Sequence, residues 1–295
     1  MTVTLLIQSV LAGLTNGYVY GLVGLGIAVI FRGARIINAM QGDFALIGAV
    51  FAYIAANRFG FPMPVALLAA VVAGGITGAL VERLLVRPTA KRRGTDESHL
   101  LVTLGGAFAV SAAVLLYFVR DSYVLPGLGG DALLDIFDAA IRVHAVWLIA
   151  ISTAVVLFLR WFYAATRLGQ AMLASSIDPE GALTIGIDVG RMRTFTFTLG
   201  GVVGGLAGAL VAPLINIHYE MGLLLTLKGF AAAILGGLMS PFGAIFGGVL
   251  LGLVESLAVV MVSSGYKDVV AMTLLIIIMI AMPQGLFGRR GRQGG

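Results

Sequence analysis

Runs of about twenty apolar residues follow one another along the whole chain, parted by short polar turns. This feature constrains the fold more than any other, because a helix needs roughly 20 such residues to cross a bilayer. Nine segments meet the criterion: 4–30, 36–57, 62–82, 98–119, 143–163, 194–213, 221–239, 241–262 and 267–283. The segment 221–239 is the least regular. It is short, contains Lys228 and meets its successor at Pro241. It reads either as a crossing or as a broken, re-entrant element. The sequence therefore predicts an all-α polytopic membrane protein with 8–9 membrane segments. Composition agrees: 59% of residues are hydrophobic and 11% are charged, against about 25% charged in soluble domains.

Basic residues set the orientation, since lysine and arginine concentrate on the cytoplasmic side. With the N-terminus outside, the inner turns hold Arg32, Arg35, Arg83, Arg87, Lys91, Arg92, Arg93, Arg160, Arg167, Arg191, Arg193, Arg289, Arg290 and Arg292. That places 14 of the 19 basic residues inside. Arg58, Arg120, Arg142 and Lys267 fall outside, and Lys228 lies within a segment. The net charge of +5 is thus a membrane-orientation signal, and no nucleic-acid partner is expected. The first basic residue is Arg32, so the basic n-region of a cleavable signal is missing. The first apolar stretch is expected to be retained. The chain has no cysteine, which excludes disulfides and thiolate chemistry.

A weak internal repeat joins Gly74-Gly75 and Val81-Glu82 to Gly247-Gly248 and Val254-Glu255, at the same spacing. Gly42-Asp43-Phe44-Ala45 loosely matches Lys228-Gly229-Phe230-Ala231. The two copies run in opposite directions in this topology. That is the mark of an inverted repeat with a solute site between the halves, although small-residue patterns also recur in packed membrane helices for other reasons.

Three places carry candidate chemistry. Asn38, Gln41 and Asp43, with Phe44, sit where the second segment begins. Polar groups at this depth need partners or water, so they are candidates to line a solute path; Asp43 at a helix start also simply suits the dipole. Lys228 is costly inside an apolar run and functional by default. It is expected to pair with Asp43 or Glu255, to meet a solute carboxylate, or to snorkel outward. The third place is the polar loop 166–193. Asp178 is suited to cap a helix and Pro179 to open it, with Glu180 in the first turn. Gly186 is suited to end that helix and Asp188 to cap the next. Arg167, Gly181 and Ala182 complete this candidate docking element, which otherwise reads as a helix lying on the membrane surface. The series Gly200, Gly204 and Gly208 marks a tight helix contact, and a second permease is a candidate partner for it. His99, His144 and His218 are scattered without ligand spacing.

Taken in order, Ile36–Phe44, Leu168–Val189, Lys228–Gly237 with Pro241–Ala244, Gly247–Glu255, and Tyr266–Val270 leading to Met282-Pro283 carry a family resemblance. The chain resembles the LivH-type permease subunits of branched-chain amino acid ABC importers. The resemblance implies one membrane domain over 1–295 in a bacterial inner membrane, with 166–193 as the coupling loop that docks on an ATPase. It implies a second, LivM-like permease, two ATPase subunits that bind ATP and Mg²⁺, and an extracytoplasmic solute-binding protein. No cofactor is expected on this chain. Two departures stand out. Gln41 takes the place where the family usually shows histidine, and Gln170 and Leu173 take places often held by arginine.

The missing Gly-x-x-x-x-Gly-Lys-Ser/Thr phosphate loop agrees with this division of labour. The alternative is an ion-coupled secondary transporter, for which Asp43, Glu82, Lys228 and Glu255 are the candidate coupling groups.

Overall fold

The computed structural model describes residues 3–118, 122–130, 132–136, 139–261 and 264–266, together with 269, 270, 272, 273, 276, 277, 280, 282 and 284–287. Arg120, Lys267, Asp268, Pro283, Arg289, Arg290 and Arg292, and with them much of the expected segment 267–283, lie outside the described residues.

The helices are α1 (Val3–Ala34), α2 (Gln41–Tyr53), α3 (Met63–Val81), α4 (Arg87–Lys91), α5 (Asp96–Phe118), α6 (Val143–Ala165), α7 (Arg167–Ile177), α8 (Pro179–Thr184), α9 (Val189–Val211), α10 (Met221–Gly236) and α11 (Pro241–Met261). Among the described residues, six stretches are long and apolar enough to cross a membrane: α1, Met63–Lys91, α5, α6, α9 and α11. Two expected spans are shorter. α2 has 13 helical residues and α10 has 16, so α10 reaches about 24 Å against a hydrocarbon core of about 30 Å. π-helical turns extend α2 through Ile54–Arg58 and α3 through Glu82–Val86.

The described residues are mostly helical, as expected of an all-α membrane protein, with one short addition: β1 (Leu133–Ile136) and β2 (Ala139–Arg142) form an antiparallel hairpin. The Gln8 side chain completes the β2 edge, donating from Nε2 to Ala140 O and accepting from Ala140 N, each at 3.0 Å.

Glycine decides which helices meet. Gly13, Gly17 and Gly21 recur every fourth residue and so share one face of α1. They pack antiparallel against Leu253, Val249 and Ile245 of α11, where a Cβ on Gly17 would lie 2.5 Å from Val249 Cα. On the other side of the molecule, Gly74 and Gly78 of α3 face Gly205, Gly201 and Phe197 of α9. The two packings are copies. Gly248 stands to Gly17 and Gly21 as Gly74 stands to Gly201 and Gly205, and Gly24 meets Gly229 O as Gly208 meets Ala45 O. α1 and α9 run antiparallel, with Gly26 and Ile30 beside Gly200 and Gly33 beside Thr196. The packing thus repeats, but not in the register read from sequence: Gly74 corresponds to Gly248, not Gly247, and Ala45 to Gly229, not Ala231.

The breaks between helices are closed by hydrogen bonds, as irregular backbone at membrane depth requires. Between α1 and α2, Asn38 Oδ1 accepts from Met40 N at 3.1 Å and Thr103 Oγ1 of α5 accepts from Ala39 N at 3.1 Å. Between α10 and α11, Gly237 takes a φ of 93° and Ser240 Oγ accepts from Gly243 N. The last carbonyls of α10 are satisfied from far along the chain: Leu286 N donates to Leu235 O at 2.8 Å and Phe287 N to Gly236 O at 3.2 Å.

Candidate functional site

The polar group at the start of α2 lies at the centre of the bundle. Asn38, Gln41, Asp43 and Phe44 are all buried. Gly26 and Gly204 leave the room that the Gln41 side chain fills, and its Nε2 donates to Gly200 O at 3.0 Å. Gly42 N donates to Thr226 Oγ1 of α10 at 2.8 Å, and Ser111 of α5 donates to Asp43 Oδ1 at 3.2 Å. Gly222 faces the same carboxylate. Five helices, α1, α2, α5, α9 and α10, therefore converge on Gln41–Asp43. Three polar atoms there have no hydrogen-bond partner among the described residues: Asn38 Nδ2, Gln41 Oε1 and Asp43 Oδ2. Each such atom costs about 1–3 kcal/mol when buried, and most buried polar groups in proteins are satisfied. Phe44 differs from its neighbours. It packs with Ile30, Met40 and Phe197 as part of the apolar core.

Lys228 is not part of this group. Positions 226 and 228 of α10 are about 200° apart around the helix, so Thr226 turns toward α2 while Lys228 turns away. Lys228 forms an ion pair with Glu255 of α11. Tyr20 of α1 donates to Glu255 Oε2 at 2.8 Å, and the ammonium lies 5.4 Å from the Tyr20 ring centroid. Glu82, the acid at the end of α3, is matched by a similar set: Arg193 Nε at 3.0 Å and Thr194 Oγ1 at 2.8 Å, both from α9. Of the two partners expected for Lys228, Asp43 and Glu255, the structure shows Glu255. Each acid holds a base and a hydroxyl, and the base of Glu82 was not read from sequence, although an acid near the end of an apolar run needs a cation within reach.

The loop 166–193 folds as two short helices, as its caps predict. Thr166 Oγ1 accepts from Gly169 N at 3.0 Å to open α7. Asp178 Oδ1 accepts from Gly181 N at 2.9 Å to open α8 at Pro179, and Asp188 Oδ1 accepts from Arg191 N at 3.0 Å to open α9. Gly186 ends α8 with a φ of 84°. Ala182 turns inward, while Leu183 and Ile185 are 60% and 73% exposed; Arg167 and Glu180 are exposed as well. Ser176 Oγ donates to Arg32 O at 2.8 Å, tying α7 to the end of α1.

At Gly181 a Cβ would meet the carboxylate of Asp178; the exposed large apolar side chains here are Leu183 in α8 and Ile185 just after it. One assignment from sequence is corrected. The stripe Gly200, Gly204 and Gly208 is filled within this chain by Ile30, Phe44 and Ala45 respectively. That face is therefore occupied and not open to a second permease. His144 also has a settled role: Nδ1 accepts from Leu128 N at 3.0 Å and Nε2 donates to Leu210 O at 2.7 Å, so both ring nitrogens are engaged.

The sequence has relatives among known proteins. A family model described as the branched-chain amino acid transport system permease component matches residues 9–279. The chain is 29% identical to the high-affinity branched-chain amino acid transport system permease protein LivH of Escherichia coli (strain K12), covering 96% of each chain. It is 30% identical to the corresponding BraD protein of Pseudomonas aeruginosa, again over 96% of each. It is 28% identical to the probable LivH of Methanocaldococcus jannaschii, over 90% of this chain and 88% of that one. On a match that runs from α1 to beyond α11, the chain belongs to the family of branched-chain amino acid transport system permease components.

Proposed function

We propose that this chain is the membrane-spanning permease subunit of an ATP-driven importer for branched-chain amino acids or closely similar small amino-acid-like solutes. The family match along residues 9–279 carries the reading. In it, α2 and α10 join the six longer stretches as crossings, and the partly described segment after α11 makes a ninth. The N-terminus lies outside a bacterial inner membrane and the α7–α8 loop lies inside. An impermeant thiol reagent should label Asn57→Cys but not Leu183→Cys in intact cells; the opposite pattern would reverse the orientation.

A solute crossing this chain meets Asn38, Gln41 and Asp43. These are the polar side chains at the break between α1 and α2, where the inverted halves face each other through Gly42 and Thr226. Pairing disfavours the ion-coupled alternative. Of its four candidate groups, Glu82, Lys228 and Glu255 are each held in an ion pair. ATP and Mg²⁺ bind the partner ATPases, and α8 takes up their movement. Ser176 passes that movement to Arg32 of α1, which is six residues and about 9 Å along the helix from Gly26 beneath Gln41. A second permease and an extracytoplasmic binding protein complete the assembly.

Reconstitution tests the reading. The chain alone in liposomes should show no saturable leucine uptake under a proton or sodium gradient. With ATPases, second permease and binding protein, uptake should follow internal ATP. Ion-driven uptake by the chain alone would refute the proposal.

A further inference from the structure

At the end of the bundle that carries the α7–α8 loop, a cleft of about 270 Å³ opens between α1, α6 and the start of α11. It far exceeds the roughly 10–15 Å³ that one water needs. Its polar lining is cationic: Arg32 from α1 and Arg160 from α6, with Ser240 at the α11 start. No carboxylate lies within 4.0 Å of either guanidinium among the described residues. The Arg32 guanidinium is stacked 4.9 Å from the Tyr163 ring centroid. Tyr163 lines the same cleft and is 4% exposed, yet its hydroxyl has no hydrogen-bond partner among the described residues. Two unpaired cations and an unused buried hydroxyl in one cleft call for an anion with several acceptor oxygens. Guanidinium matches phosphate oxygens in a bidentate fork.

The surroundings identify the source of that phosphate. Phe158 and Trp161, the α6 residues flanking Arg160, are exposed apolar side chains. Tryptophan at the end of a spanning helix marks headgroup depth. Val156 and Phe242 give the cleft an apolar wall, and Phe242 is itself exposed. Basic pockets between membrane helices on the cytoplasmic side suit anionic headgroups. We propose that this cleft binds the phosphate of an anionic phospholipid, with Arg32 and Arg160 as its ligands and Tyr163 as a further donor. The assignment rests on the chain being a multi-pass membrane protein and is independent of what the chain imports.

The test uses the full chain in neutral detergent, and again in the assembled importer. Binding of phosphatidylglycerol is compared with that of phosphatidylcholine by native mass spectrometry and by thermal shift. The wild type should prefer phosphatidylglycerol. Arg32→Gln and Arg160→Gln should each lower that preference about fivefold, while Arg35→Gln, on the neighbouring turn outside the cleft, should leave it unchanged. Arg160→Gln changes only an exposed side chain of α6, so it carries the test if Arg32→Gln misfolds, and Arg32→Lys should keep part of the preference. An unaltered preference in the double variant would overturn the proposal. Protection by inorganic phosphate equal to that by phosphatidylglycerol would assign the cleft to a free anion and overturn the lipid assignment. A preference present in the isolated chain but lost in the assembled importer would show a subunit contact there, with the same consequence.

Discussion

The side-chain amide of Gln41 donates to the backbone carbonyl of Gly200 across 3.0 Å, over a patch of α1 where Gly26 leaves no room for a methyl group. One side chain therefore joins the first turn of α2 to the middle of α9 and rests on α1. Its other amide atom, Oε1, has no hydrogen-bond partner among the described residues.

Replacing it should separate stability from transport. Gly200 O belongs to a helix ladder, and interhelical side-chain bonds in membranes average about 0.6 kcal/mol. Gln41→Leu should thus leave thermal unfolding in detergent nearly unchanged. ATP-driven uptake by the assembled importer should fall by about tenfold or more, which is about 1.4 kcal/mol of barrier. Wild-type uptake would remove Gln41 from the solute path.

The Lys228–Glu255 pair should act as a unit. Breaking a buried ion pair from one side costs about 3–5 kcal/mol, because a buried charge is left alone. Lys228→Met and Glu255→Gln should each destabilise the chain strongly, and the double variant should lose much less than their sum. Urea or thermal unfolding across the four proteins reads the coupling. Strict additivity would show that the two side chains do not interact.

Glycine contacts differ sharply in what they tolerate. At Gly17 a Cβ would come 2.5 Å from Val249 Cα, whereas at Gly105 in α5 nothing lies within 4 Å. Gly17→Val should force α1 from α11 at a cost of about 3 kcal/mol or more. Gly105→Ala should be neutral or stabilising by about 0.5–1 kcal/mol. Thermal melts of the two variants side by side settle the matter, and equal melting temperatures would contradict the α1–α11 packing.

For coupling, the exposed pair Leu183 and Ile185 is a cleaner target than Gly181, whose space Asp178 already fills. Leu183→Asp with Ile185→Asp should leave membrane insertion intact. ATPase co-purification and solute-stimulated ATP hydrolysis should both drop severalfold. Retention of both at wild-type levels would show that α8 does not dock on the ATPase.

Much of this architecture was legible in the residue string, since the signals were local. Apolar run length set α5, α6, α9 and α11 to within a few residues, and Asp178-Pro179 and Gly186 set both ends of α8 because capping is decided by immediate neighbours. What depends on partners distant in sequence was not legible. That Lys228 chooses Glu255 over Asp43 follows from which face of α10 each residue occupies, and neither spacing nor composition reveals that. Gly200, Gly204 and Gly208 announce a close contact but do not name the helix that makes it; the answer, α1 and α2, lies about 160 residues back. Ser111, Thr226 and Tyr20 escaped notice for the same reason. Hydroxyls are common in membrane helices, and only the fold shows which ones meet a carboxylate or a glycine backbone.

The two hydrogen bonds that Leu286 and Phe287 make to the end of α10 also set an order of events in biosynthesis. The carbonyls of Leu235 and Gly236 are made about fifty residues before their donors at Leu286 and Phe287. At roughly 5–20 residues per second, α10 waits some 3–10 seconds for its closing partners. During that interval it must be sheltered by the translocation machinery or by water at the membrane surface. A ribosome that stalls within this window leaves a nascent chain in which α10 is made and its end is still open to lipid, which is a form that membrane quality control can recognise.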